Sequence, residues 1–129
     1  MKYLIYLFFL IYISCNQNKK INPNGDSEMS LLMRDMVISL DDIRLMIQDN
    51  KVNKKLYFDF KEIHKAEVTD SSFLFDGFNL MSKNFSSLLD SLELNVNSKN
   101  YNNLIESCLS CHVLVCPGPI SKIDKMFID

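Results

Sequence analysis

The chain has 129 residues, a net charge of −2 and 47% hydrophobic residues, with only 3 glycines and 3 prolines. That length allows one modest core, and so few turn residues beside so many Leu, Ile, Met and Phe favour an all-helical domain over a sheet protein. A slightly acidic chain also lacks the basic face that a nucleic-acid binder needs.

Residues 1–14 read as a secretory signal: Lys2, then the apolar run Tyr3–Ile13, then the small residue Ser14. The run is too short to span a bilayer as a helix. Ser14-Cys15 resembles the lipobox of bacterial lipoproteins, with Tyr12 standing where leucine is commonest. The resemblance implies cleavage before Cys15, a diacylglycerol on its sulfur, and an exported protein held on the periplasmic side of a membrane. An ordinary cleaved signal and an uncleaved N-terminal anchor are the alternatives. Removal of residues 1–14 takes away one positive charge, Lys2, so the net charge of −2 becomes −3. Residues 15–26 are polar and contain Pro23 and Gly25, which makes them a flexible tether to a domain spanning residues 27–129.

Within that domain, Asp26 or Ser27 caps a helix running to about Asn50. Met29, Met33, Met36, Leu40, Ile43 and Ile47 recur at steps of three and four, which puts them on one face, while Arg34, Asp35, Asp41, Asp42 and Asp49 occupy the other. After a polar break at Lys51–Lys55, Asp59 and Glu62 form a capping-box pattern that predicts a short helix from Phe60 to about Val68. Leu56–Phe60 just before it also alternates like a strand. Thr69–Ser72 marks a third start, followed by the stripe Leu74, Phe78, Met81, Phe85, Leu88 and Leu92. The last segment runs from about Ser98 to Val115 and is ended by Cys116-Pro117-Gly118-Pro119, since proline removes a backbone donor and restricts its predecessor. Four amphipathic helices joined by short polar breaks predict an antiparallel four-helix bundle.

Cys108-Leu109-Ser110-Cys111-His112 has the C-x-x-C-H spacing of c-type haem attachment. Each thiol adds to one haem vinyl group as a thioether, and the next residue, His112, falls under the ring and ligates the iron. Three other readings compete. A thioredoxin-like redox pair would sit at a helix start after a strand, not near the end of the last helix. A zinc site would need a second pair, and only His64 and Cys116 remain. A structural disulfide would leave His112 without a role. An export signal agrees with haem, because c-type maturation takes place on exported chains.

A c-type motif at the C-terminal end of a four-helix bundle resembles the cytochrome c-prime and cytochrome c-556 superfamily. The resemblance covers residues 27–116 as a layout, and the haem motif and first helix match specifically. Ile63-His64-Lys65-Ala66-Glu67-Val68-Thr69-Asp70, Tyr101-Asn102-Asn103-Leu104 and Cys116-Pro117-Gly118-Pro119-Ile120 resemble a lipoprotein branch seen in Bacteroidetes-type bacteria. Methionine-ligated members carry a first-helix methionine at the sixth iron position, which the resemblance assigns to Met33, with Met36 one turn on as the alternative and an open position as the third case. The usual arginine one turn beyond the histidine is replaced here by Val113-Leu114-Val115-Cys116, which leaves Lys122 or Lys125 to pair with the haem propionates. Superfamily members often dimerise through their first two helices, so a homodimer is an expectation.

The functional expectation is an electron carrier with one covalent haem c on Cys108 and Cys111, and iron held by His112 and Met33. It would meet a redox partner protein at the membrane, with Asp41, Asp42 and Asp49 available to steer a basic one. A five-coordinate protein binding NO or CO is the alternative if the sixth site is open. A haem-free structural lipoprotein is the third. His64 is the rival iron ligand to methionine and otherwise a helix-surface or supporting residue, and Cys116 reads as a buried apolar thiol, with a redox-active or intermolecular thiol as the alternative. No paired-carboxylate, Ser-His or phosphate-loop pattern nominates an enzyme.

Overall fold

The structure, a computed structural model, describes residues 26–52, 56–60 and 62–129. The leader, Cys15 and the tether up to residue 25 lie outside the described residues. Among the described residues the chain is all-α: α1 spans Glu28–Gln48, α2 Phe78–Leu94, α3 Ser98–Val115 and α4 Ile120–Asp124. No helix among them is long and apolar enough to cross a membrane.

Local chemistry accounts for the ends of α1. Ser27 accepts the Ser30 N–H at 3.1 Å as the N-cap. A second unpaired donor of the first turn, Met29 N–H, reaches the Glu67 carbonyl at 2.9 Å, and Glu28 returns the contact by accepting the Glu67 N–H at 2.9 Å. The crossover strand of chain is thereby pinned to the start of α1. At the other end Asn50 takes a left-handed φ of 53°, and Lys51 N–H closes back on the Met46 carbonyl. Met29, Met36, Leu40 and Ile43 are buried, with Met33 and Ile47 packed beside them, as the three-four spacing requires.

The predicted helix over Phe60–Val68 does not form. A single 3-10 turn, Ile63–Lys65, stands there in otherwise irregular chain. Leu56, Phe58 and Phe60 point inward while Tyr57 and Asp59 face solvent, so the chain runs extended. Burial of that alternating triplet, with the Phe58 and Phe60 rings stacked at 5.5 Å, outweighs the capping-box signal. Glu62 also engages His64 and Lys65 at 3.0 and 2.7 Å rather than the backbone N–H a capping box needs. The α2 helix likewise starts later than the Thr69–Ser72 signal predicts. Asp70 caps only the 3-10 turn Ser71–Phe73, and Gly77 at φ 95° then redirects the chain into the helix. Leu74 is left outside and exposed, while Phe78, Phe85 and Leu92 are buried.

The α3 helix carries the centre of the core. Asn97 caps it by accepting the Asn100 N–H at 2.9 Å, and Tyr101, Leu104 and Ile105 are almost wholly buried. The three-residue break after α2 makes α2 and α3 a packed helical hairpin, and α1 and α4 both pack against α3. No periodic pattern in the sequence announces α4. It follows the Pro117-Gly118-Pro119 turn and buries Ile123, with Met126 just beyond it. Arg44 donates to the Lys125 carbonyl at 3.1 Å, Lys122 meets Asp41 at 2.6 Å, and the Asn102 side chain holds both backbone groups of Ile128 at 2.8 and 3.0 Å.

Candidate functional site

One cavity of about 470 Å³ opens among α1, α2, α3 and α4. Its size falls within the range of small-molecule and cofactor sites, roughly 300–1,000 Å³. Nearly all of its wall is apolar, built from Val37, Leu40, Ile63, Phe78, Phe85, Ile105 and their neighbours. Cys108, Cys111 and His112 reach it from the last turns of α3, and Met33 and Met36 reach it from α1. The five side chains singled out in the sequence for one site therefore share one cavity, although they come from opposite ends of the described chain. Met36 is 4% exposed and belongs to the core cluster, while Met33 is half-buried and packs on its edge.

The position of Cys108, Cys111 and His112 follows from helix geometry. Residues three and four apart lie on one face of a helix, so the C-x-x-C-H spacing turns both sulfurs and the imidazole toward the same side. Burial, with help from neighbouring Cys111, pushes the Cys108 thiol up to about 12. Burial and then Cys116 push the Cys111 thiol up as well. Both are free cysteines that hold their protons in an apolar wall. Such thiols are poor metal ligands and poor disulfide nucleophiles, since both chemistries use the thiolate. Among the described residues no group of three or more His, Cys, Asp or Glu is placed to hold a metal ion.

His112 is oriented by its own helix end. Its Nδ1 lies 3.0 Å from the Cys116 carbonyl oxygen. A carbonyl only accepts, so the ring proton sits on Nδ1 and the lone pair on Nε2 is left for a ligand. The carbonyl is available because Pro117 cannot continue the helix and α3 ends there. Cys116 thus contributes its backbone to the site, a role that sequence reading of its thiol does not suggest.

The wall also holds residues to which the sequence assigned no place in the site, Lys122 excepted. Met81 and Met126 add two more thioethers, and Ser82 adds a hydroxyl. Arg34 and Lys122 are cations on the wall, whereas Lys125 is not among its residues. Arg34 is paired with Asp26 at 2.7 Å and Lys122 with Asp41 at 2.6 Å. Asp41 also meets Arg44 at 3.2 Å and Asp49 meets Lys51 at 2.7 Å, so these two acids already have cationic partners. His64 is not part of the wall. Its two ring nitrogens face Ser82 and Glu62, each at 3.0 Å. The arrangement brings a serine and a histidine together from distant segments, which no local pattern in the sequence announces.

Comparisons with protein-family models, with curated proteins and with solved structures find no match.

Proposed function

We propose that this chain is a c-type cytochrome, a membrane-anchored electron carrier whose all-α domain of three long helices and a short fourth is a variant of the cytochrome c-prime and c-556 bundle. The observation that carries the reading is the shared cavity: the two thiols and imidazole of the C-x-x-C-H motif and two methionines of α1 face one apolar space of about 470 Å³. The donor set fits haem c. Protonated Cys108 and Cys111 suit thioether formation, because each S–H supplies both the sulfur for the new S–C bond and the proton for the other vinyl carbon. No oxidant is needed. His112, with its Nδ1 proton held by the Cys116 carbonyl, would hold the iron through Nε2. Met33 would be the first choice for a second iron ligand and Met36 the alternative. Arg34 and Lys122 are the cations available to carboxylates at the cavity wall.

When bound, haem supplies a one-electron ferric–ferrous couple, and methionine ligation raises its potential relative to two histidines. The mostly apolar wall would limit the contact of a bound haem with water. A lipid on Cys15 would keep the domain beside a membrane redox partner.

The test is expression of the full chain in a host that matures c-type cytochromes. Haem staining should survive denaturing electrophoresis and disappear in Cys108→Ala/Cys111→Ala. An unstained wild-type band would overturn the reading and leave a haem-free lipoprotein. A low-spin ferric spectrum with a sulfur-to-iron charge-transfer band, lost in Met33→Ala, supports the electron carrier. A high-spin spectrum that shifts on adding NO would replace it with the gas-binding reading.

A further inference from the structure

Ser82 is the one buried polar residue among those described, 3% exposed, and it lies on the wall of a mostly apolar cavity. Its oxygen accepts the His64 backbone N–H at 3.1 Å and sits 3.0 Å from His64 Nδ1. The other ring nitrogen, Nε2, is 3.0 Å from Glu62 Oε2, and Glu62 is half exposed to solvent. Three side chains therefore run in line from water to the cavity: Glu62, His64, Ser82.

A proton inventory assigns their roles. The Lys65 ammonium, 2.7 Å from Glu62, holds that carboxyl below its ordinary range, and Lys83 and His64 add to the effect. Glu62 is then a carboxylate that can only accept, so neutral His64 must carry its proton on Nε2. Its Nδ1 is a bare lone pair, and the Ser82 hydroxyl must donate to it. When His64 gains a second proton, Nδ1–H becomes a donor. Ser82 then receives two N–H groups, from the ring and from the backbone, and its own O–H has no acceptor left on His64. It can turn into the cavity.

We propose that Glu62, His64 and Ser82 form a proton-controlled relay that makes Ser82 a switchable hydrogen-bond donor to an electronegative atom held in the cavity. On the haem reading above, that atom belongs to the haem or to a small ligand on its iron, and the relay couples proton uptake at the surface to the redox state of the site. A nucleophilic serine is not implied. Ser82 is the fifth residue of α2, and the N–H just before it, on Met81, is already bound to the Gly77 carbonyl. The charged groups facing His64 are Glu62 on its own turn, with Lys65 and Lys83 acting on Glu62.

Two experiments test this. In the haem-free full chain, nitrogen NMR of the two histidines should show opposite neutral tautomers, Nε2–H for His64 and Nδ1–H for His112. Ser82→Ala should change the His64 tautomer balance and leave the His112 tautomer alone. An Nδ1–H tautomer for neutral His64 would overturn the proposal, because Ser82 would then never be required to donate to it. In haem-loaded protein the midpoint potential should change with pH, and that dependence should be lost in His64→Gln and in Ser82→Ala alike. A dependence retained in Ser82→Ala would mean that the His64 charge acts through space, and the relay would be wrong. Failure of the wild type to take up haem would count against the haem reading alone, since the tautomer measurement stands without it.

Discussion

A cavity of about 470 Å³ is large for a domain of this size, and its energetic consequence can be worked out. Unfilled apolar volume destabilises a fold by about 24 cal/mol per Å³, which here amounts to a ceiling of about 11 kcal/mol. Part of the space opens to solvent and is filled by water, so the actual penalty is smaller. Even half of it is comparable with the whole stability of a typical domain, about 5–15 kcal/mol. The chain without its ligand should therefore be weakly folded. We expect wild-type protein produced without haem maturation, kept reduced, to bind a hydrophobic dye and to melt broadly. Haem-loaded protein should be stabilised by at least about 3 kcal/mol, which for roughly 100 residues raises the melting temperature by more than about 10 °C. Urea and thermal unfolding followed by circular dichroism measure both forms. A haem-free chain that melts cooperatively within a few degrees of the loaded one would refute the reasoning, because the cavity would then impose no cost that a ligand relieves.

Two further outcomes follow from the surroundings of single side chains. In the haem-free folded chain, burial that raises Cys108 from 9.0 to about 12 leaves roughly a thousandfold less thiolate at any pH below both values, so iodoacetamide should label Cys108 far more slowly than in the urea-unfolded chain; mass spectrometry showing rates within tenfold of each other would count against the burial. The fully buried Tyr101 hydroxyl has no hydrogen-bond partner, so Tyr101→Phe should leave stability unchanged or raise it by up to about 1 kcal/mol in urea unfolding, and a loss of more than that would reveal an acceptor or donor in contact with it.

Local signals are legible in the sequence where their partners lie within about one helical turn. Ser27 caps α1 and Asn97 caps α3 through contacts three residues away. The stripe from Met29 to Ile47 and the segment Ser98–Val115 needed only a period of 3.6, and the C-x-x-C-H spacing needed only one helix face. Those features established an all-α domain and a motif whose sulfurs and imidazole point one way. The Phe60–Val68 segment was misread because its capping box and its alternating neighbours are both genuine local patterns. Only burial of Leu56, Phe58 and Phe60 against distant residues decides between them. The late start of α2 turned on the left-handed backbone at Gly77, which the hydrophobic stripe running through Leu74 concealed.

What the tertiary structure alone decided is the company these residues keep. Which helix faces meet depends on the path of the crossover and on the return of the C-terminal segment, and neither leaves a periodic trace. That path brings Met33 and Met36 to the cavity wall with Cys108, Cys111 and His112, and it adds Arg34 and Lys122 as cations. It also sets Ser82 of α2 against His64, which meets Glu62 on its other ring nitrogen. The sequence by itself determined the three long helices, apart from the start of α2, and the motif, because their interactions are short-range along the chain. The cavity, its second wall and its polar relay came from packing, which joins residues that no local pattern connects.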